Sequence, residues 1–160
     1  MDGYVQRAVN RESFEMRRPS RTFFVCTLLV LVAACNASMR RSGIPAGAQT
    51  ALQEAIEDID AGRYEKLYQE ASDEWRSQAS LDDSKATIQM LSSKLGKART
   101  RSQQTAREEQ TSTAPVAGHS VTVIYQTSFD RGEGIETFTL VERGSRWALA
   151  KYYVSSSGLR

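Results

Sequence analysis

Ser120-Val-Thr-Val-Ile-Tyr-Gln-Thr-Ser-Phe129 alternates apolar and polar side chains along its length. Val121, Val123, Tyr125, Thr127 and Phe129 fall on one side and Thr122, Gln126 and Ser128 on the other, the period of two that a half-buried strand requires. Asp130-Arg-Gly-Glu-Gly134 follows as a hairpin connection, and Ile135–Arg143 reads as the next strand. Gly144-Ser145 suits a two-residue turn, because glycine reaches positive φ without steric cost. Arg146–Val154 reads as the last strand, with Trp147, Leu149 and Tyr153 predicted on one side and Ala148, Ala150 and Val154 on the other.

Upstream the period is helical. Ala51, Leu52, Ala55, Ile56 and Ile59 predict a helix over Gln49–Ala61, with Glu54, Glu57 and Asp58 on its polar side and Gly62 placed as a left-handed C-cap. Tyr64, Leu67, Tyr68 and Ala71 make a second apolar stripe, with Trp75 just beyond it. Ser80 sits as the N-cap of a third helix, Asp83 lies in its first turn, and Leu81, Ile88, Leu91 and Leu95 form its stripe up to Gly96. After Gly96 the period changes to two. Lys97–Ala106 reads as a weak polar strand with Arg99 and Arg101 on one face, and Glu108–Gly118 as a loop. Helices first and strands last predict an α+β fold: about three N-terminal helices packed on a curved antiparallel sheet of about four strands.

Residues 16–35 carry an address. Arg17, Arg18 and Arg21 precede an apolar run, Thr22–Val32, and Val32-Ala-Ala-Cys35 closes it. Basic start, short apolar core and small residues before a cysteine are the layout of a bacterial lipoprotein signal. A transmembrane span needs about 20 apolar residues, and here Asn36, Ser38, Arg40 and Arg41 follow at once. The expectation is cleavage before Cys35 and lipid on its thiol, with Met16 as an alternative start. Asn36, where an aspartate would retain a lipoprotein in the inner membrane, leans towards the periplasmic face of the outer membrane. The organisation expected is signal 1–35, flexible tether 36–47, one domain over 48–155 and a fraying tail 156–160.

Both cysteines, Cys26 and Cys35, lie in the signal, so the mature domain holds no thiol, disulfide or cysteine metal site. The chain has 21 basic and 19 acidic side chains. Five and three of them precede Cys35, which leaves sixteen of each sign from there on. The basic balance belongs to the signal and gives no support for nucleic acid as a partner. Within the domain, Glu54–Asp83 is acidic and Lys85–Arg107 largely basic, as expected of solvated faces that complement one another in the fold.

Several runs together carry a resemblance: Asp60-Ala-Gly-Arg-Tyr-Glu-Lys-Leu-Tyr, Trp75-Arg76, Lys94-Leu-Gly-Lys-Ala-Arg-Thr-Arg101, Val123-Ile-Tyr-Gln-Thr-Ser-Phe129, Glu136-Thr-Phe-Thr-Leu-Val-Glu142 and Arg146-Trp-Ala-Leu-Ala-Lys-Tyr-Tyr-Val154. They resemble the bacterial family named domain of unknown function 4019, over roughly residues 48–155. The resemblance implies exported, often lipid-anchored proteins and a fold similar to the nuclear-transport-factor-2-like cone. It supplies no catalytic residues.

The residues offer little chemistry of their own. His119 is the single histidine and sits in loop-like sequence with no partner in view, which reads as an exposed loop histidine. No metal-ligand spacing, nucleophile motif or cofactor signature occurs, Asp82-Asp83 is explained by helix capping, and Gly132-x-Gly134 lies in a hairpin rather than before a helix. Trp75, Tyr125, Phe129, Phe138, Trp147 and Tyr153 stand at core spacing, and the same six are the candidates for lining a pocket. Two readings follow. The residues favour a non-catalytic domain binding an envelope partner; the alternative is a cone-fold small-ligand binder, or an isomerase- or dehydratase-like enzyme. A packed interior points to the first, and an open apolar cavity with a convergent Asp, Glu or His to the second.

Overall fold

The computed structural model of the protein describes residues 43–112 and 116–160. The signal segment, Cys35 and most of the tether lie outside these residues. Four helices and then four strands follow one another along the described chain, an α+β order.

Pro45 precedes α1 (Ala46–Asp60), and its carbonyl accepts the Gln49 N–H at 2.9 Å. Ala48, Leu52, Ala55 and Ile59 recur one or two turns apart and form the buried stripe of α1. Gly62 ends the helix at φ +71°, a conformation costly for residues with a Cβ. α2 (Tyr64–Glu70) follows. At Ala71 and Ser72 the chain turns extended, and the Ser72 N–H donates to the Leu149 carbonyl at 2.9 Å. The helix then resumes as α3 (Asp73–Gln78), which holds Trp75. This break accounts for four helices where the apolar stripes predict about three: the segment leaves the helix to bond the exposed edge of the sheet. α4 (Leu81–Leu95) begins as its sequence predicts, with Ser80 Oγ accepting the Asp83 N–H at 3.1 Å.

The strands β1 (Ala98–Thr111), β2 (Gly118–Phe129), β3 (Gly132–Arg143) and β4 (Arg146–Ser156) form one antiparallel sheet in the order β1-β2-β3-β4. The predicted loop from Glu108 is strand as far as Thr111. Glu108 pairs with Val121, Glu109 with Ser120 and Gln110 with His119. An edge strand with one solvated side is held by its ladder bonds and needs no apolar alternation, so periodicity does not reveal it.

Register slips reassign faces. Thr139 pairs with Lys151 but Leu140 with Leu149, so Ala150 bulges out of β4. One extra residue inverts the alternation beyond it. Tyr153, predicted beside Trp147 and Leu149, is therefore 56% exposed, and Tyr152 faces inward with its ring 4.9 Å from Phe138. Val154 moves to the inner side for the same reason and is buried. β1 bulges at Arg99, so Arg99 and Arg101 do not share a face. Arg99 is solvent-facing beside Asp130, while Arg101 pairs with Thr127 and turns inward.

The core lies between the inner face of the sheet and the helices. Leu52, Val121, Val123, Phe138 and Leu140 are fully buried, each contributing roughly 1.5–3 kcal/mol by burial. Trp147 closes one end of this core against the start of α1, where a Cβ on Gly47 would meet its Cδ1 at 2.8 Å. The acidic and basic segments meet through Asp60–Arg101 and Glu65–Lys85. Asp58, predicted on the polar side of α1, is buried and takes Arg63 Nε at 2.7 Å and Lys66 Nζ at 2.8 Å. Burial pushes its carboxyl up, and those two cations overcome that and hold it below the usual range. In the tail, Ser157–Leu159 forms a 3-10 turn, and the Ser156 hydroxyl donates to the Glu133 carbonyl at 2.7 Å.

Candidate functional site

Along β3 the inward positions are Gly134, Glu136, Phe138 and Leu140. The alternation that buries the two apolar side chains also buries Glu136, which is fully inaccessible. A buried carboxylate must be paired and hydrogen-bonded. Three neighbouring elements supply the donors. From β2 the Thr127 hydroxyl donates to Oε2 at 2.6 Å, and from β4 the Tyr152 hydroxyl donates to Oε1 at 2.7 Å. From β1, Arg101 Nε donates to Oε2 at 2.6 Å and Nη2 reaches Oε1 at 3.4 Å. Each oxygen thus has two donors.

Arg101 continues the network to the helices. Its Nη1 and Nη2 donate to the two oxygens of Asp60, the last residue of α1, at 2.7 and 2.8 Å. The guanidinium is a planar fork, and here both of its edges are used, one for each carboxylate. Burial weakens Arg101 as a base, but Asp60 and Glu136 more than restore it and leave its pKa raised. Burial, with the Glu136 charge beside it, also raises the Tyr152 phenol, which stays neutral.

Asp60, Arg101, Glu136 and Tyr152 line a cavity of about 570 Å³ between the end of α1, α4 and the sheet. Ile59, Ile88, Leu91, Leu95, Phe129 and Val154 supply its apolar wall. Ligand pockets fall in this size range, with mostly apolar walls and a few placed polar groups. Lys97, Asp130 and Arg131 line it as well, as do Tyr64 and Ser92, whose hydroxyl oxygens lie 3.3 Å apart.

The six aromatic candidates are dispersed. Phe129 alone among them lines this cavity. Phe138 is core, and Tyr125 stands edge-on to it at 6.0 Å. Trp75 donates to Ser84 Oγ at 2.9 Å and lines an adjoining cavity of about 210 Å³ that shares Ile88, Leu91 and Tyr152 with the first. Trp147 closes the far end of the core and lines a third cavity, of about 170 Å³, and Tyr153 is outside.

His119 is not the exposed loop residue its surroundings in the chain suggest. It lies in β2, with Nδ1 2.6 Å from Glu142 and Nε2 2.6 Å from Glu108, and its ring meets Trp147 edge-on at 4.8 Å. The hydrogen bond to Glu142 raises its pKa, burial works against this, and Glu108 adds to the rise. The carboxylates lie on opposite ring nitrogens, so each can hold one ring proton and the two do not converge on a common point. Among the described residues no group of His, Cys, Asp and Glu is arranged to hold a metal ion.

Sequence reasoning missed Glu136 although it left a trace: one carboxylate in step with Phe138 and Leu140 on a strand. Arg101 and Tyr152 were hidden by the bulges that set their faces, and Asp60 is 41 residues from the arginine it pairs with. Among the described residues no helix is long and apolar enough to cross a membrane. No curated protein matches the chain. A family model described as "Protein of unknown function (DUF4019)" matches residues 51–152, a stretch that runs from α1 to Tyr152 and so includes Asp60, Arg101 and Glu136. The match covers more than half of the chain, and the protein belongs to the DUF4019 family.

Proposed function

We propose that the domain is a non-catalytic binding module, held at the periplasmic face of the outer membrane by lipid on Cys35, that takes a small ligand into the cavity between its helices and its sheet. The observation that carries this reading is the cavity of about 570 Å³ with Asp60, Arg101 and Tyr152 converging on a mostly apolar wall. It moves the balance from a protein partner, which the residues alone favour, to a small molecule. In the same reading the sheet wraps as the cone that the family resemblance implies, helped by bulges in β1 and β4, since bulges bend and twist a strand.

Binding without chemistry follows from how Glu136 is used. A general base needs an open lone pair within reach of the proton it removes. Both oxygens of Glu136 are already engaged by Arg101, Thr127 and Tyr152. The carboxylate therefore holds the cavity wall in shape and leaves ligand contact to its neighbours.

Native mass spectrometry of the protein extracted gently from envelopes tests the binding reading. A retained small molecule is expected, and Leu91→Trp, which fills the cavity, should remove it. A ligand-free protein, or retention untouched by Leu91→Trp, would count against the cavity. Metabolic labelling with a tagged fatty acid tests the anchor: Cys35→Ser should lose the label. Unmodified Cys35 within a retained signal would refute the lipoprotein assignment.

A further inference from the structure

We infer that the larger cavity and the smaller one beside Trp75 are two ends of one site, whose ligand is an amphiphile with a single unbranched hydrocarbon chain. The polar head sits in the larger cavity and the chain runs on into the smaller. The inference rests on the proposal that the cavity binds a ligand and concerns the shape of what it takes.

Helix α4 and strand β4 line both spaces. Ser84, Thr87, Ile88 and Leu91 face the smaller cavity, and Ile88, Leu91, Ser92 and Leu95 the larger. Spacings of three and four put these residues on one stripe of the helix. From Ser84 to Leu95 the stripe is about 16 Å long at 1.5 Å per residue. On β4, Ala150 and Tyr152 line the smaller cavity, and Tyr152 and Val154 the larger. Ile88, Leu91 and Tyr152 stand at the junction. Ile88 is buried, whereas Leu91 and Tyr152 keep part of their surface accessible, so the junction is a waist and not a packed partition.

Charge does not choose the ligand. The larger lining carries Asp60, Asp130 and Glu136 against Lys97, Arg101 and Arg131, three of each sign. Size and surface choose instead. Pockets that hold a whole drug-sized ligand measure roughly 300–1,000 Å³. The smaller cavity, at about 210 Å³, falls below that range by itself and suits the end of a chain. Three of its polar residues are engaged within the protein. Ser84 Oγ accepts the Trp75 indole N–H at 2.9 Å, Asp83 accepts the Ser80 hydroxyl at 2.6 Å, and Gln78 donates to the Glu74 carbonyl at 2.9 Å. Thr87 and Lys151 are solvent-facing. Trp75, Ala79, Ile88, Leu91 and Ala150 supply the apolar surface against which methylene groups leave water.

Straight-chain alcohols from hexanol to dodecanol, titrated against the full chain, test the joined site. Each added CH₂ should tighten binding about fourfold as far as dodecanol. 2-Butyloctanol, with the carbon count of dodecanol on a branched skeleton, should bind roughly tenfold more weakly than dodecanol. Trp147→Phe leaves Trp75 as the only tryptophan, and in that variant dodecanol should shift the fluorescence while hexanol does not. Thr87→Phe, at a solvent-facing position that lines the smaller cavity alone, should erase the gain of the longer chains and leave hexanol binding in place. Affinity that stops rising at short chains, with Trp75 silent, would make the two cavities separate and overturn the inference, while the binding proposal stands. 2-Butyloctanol matching dodecanol would overturn it too, as would an unchanged chain-length dependence in Thr87→Phe. If no alcohol binds but Leu91→Trp removes a retained native ligand, the inference alone fails. If no alcohol binds and Leu91→Trp changes nothing, the binding proposal itself fails.

Discussion

The inner face of the sheet carries the same motif at two places, a cation between two carboxylates, and the two are used differently. In one, Arg101 lies between Asp60 and Glu136 beside an open cavity. In the other, His119 lies between Glu108 and Glu142 with its ring edge-on to Trp147, away from that cavity. Arginine keeps its charge at any pH a cell meets. Histidine is the side chain whose charge changes near neutrality. The first cluster is thus a permanent electrostatic wall, and the second is a staple that pH can loosen. It joins three consecutive strands, since Glu108, His119 and Glu142 come from β1, β2 and β3.

The largest effects should come from breaking the permanent cluster. Arg101→Met leaves Glu136 buried without its cation and should cost about 3–5 kcal/mol in urea unfolding. Adding Glu136→Gln to that variant should recover part of the loss, since the uncompensated charge is then gone. A loss as large in the double variant would mean that packing rather than charge holds this end.

Trp147→Ala probes the other end at a comparable scale. The indole is buried against Gly47 and His119, and its removal should cost about 3–5 kcal/mol. A loss under about 1 kcal/mol would place Trp147 on the surface and leave His119 without a buried neighbour.

The pH-dependent cluster should respond more weakly. His119 has its pKa raised in the fold, so its contribution is fully present below the unfolded value of about 6.5 and fades as pH rises through the folded value. His119→Gln should therefore cost on the order of 1 kcal/mol at acid pH and progressively less in alkali. Urea midpoints for both proteins across this range measure it. A difference that does not change with pH would make His119 a packing residue and dissolve the distinction drawn between the clusters.

The smallest effect tests the bulge that puts Tyr152 into the network. Tyr153→Ser should change stability by no more than about 0.5 kcal/mol, as for other exposed positions. A loss of several kcal/mol would mean that β4 runs without its bulge and that Tyr153 is the inward residue.

Local chemistry is what the sequence determined alone. Apolar spacing located α1, α2 and α4, and Ser80, Gly62 and Gly96 marked their ends through capping and positive φ, properties set by a few adjacent residues. Alternation located β2 to β4 and set Val121 and Val123 on one face, which the fold buries. The end of β1 and the break at Ser72 were not legible, because ladder bonds to Val121 and to the Leu149 carbonyl made them. Facing beyond a bulge was not legible either, since one inserted residue inverts every later side chain and its position depends on the partner strand. The site itself was decided in three dimensions. Asp60, Arg101, Glu136 and Tyr152 come from a helix end and three strands, and each alone reads as an ordinary surface or strand residue. Only the closing of the sheet on the helices brings them to one wall, where burial makes each charge depend on its partner.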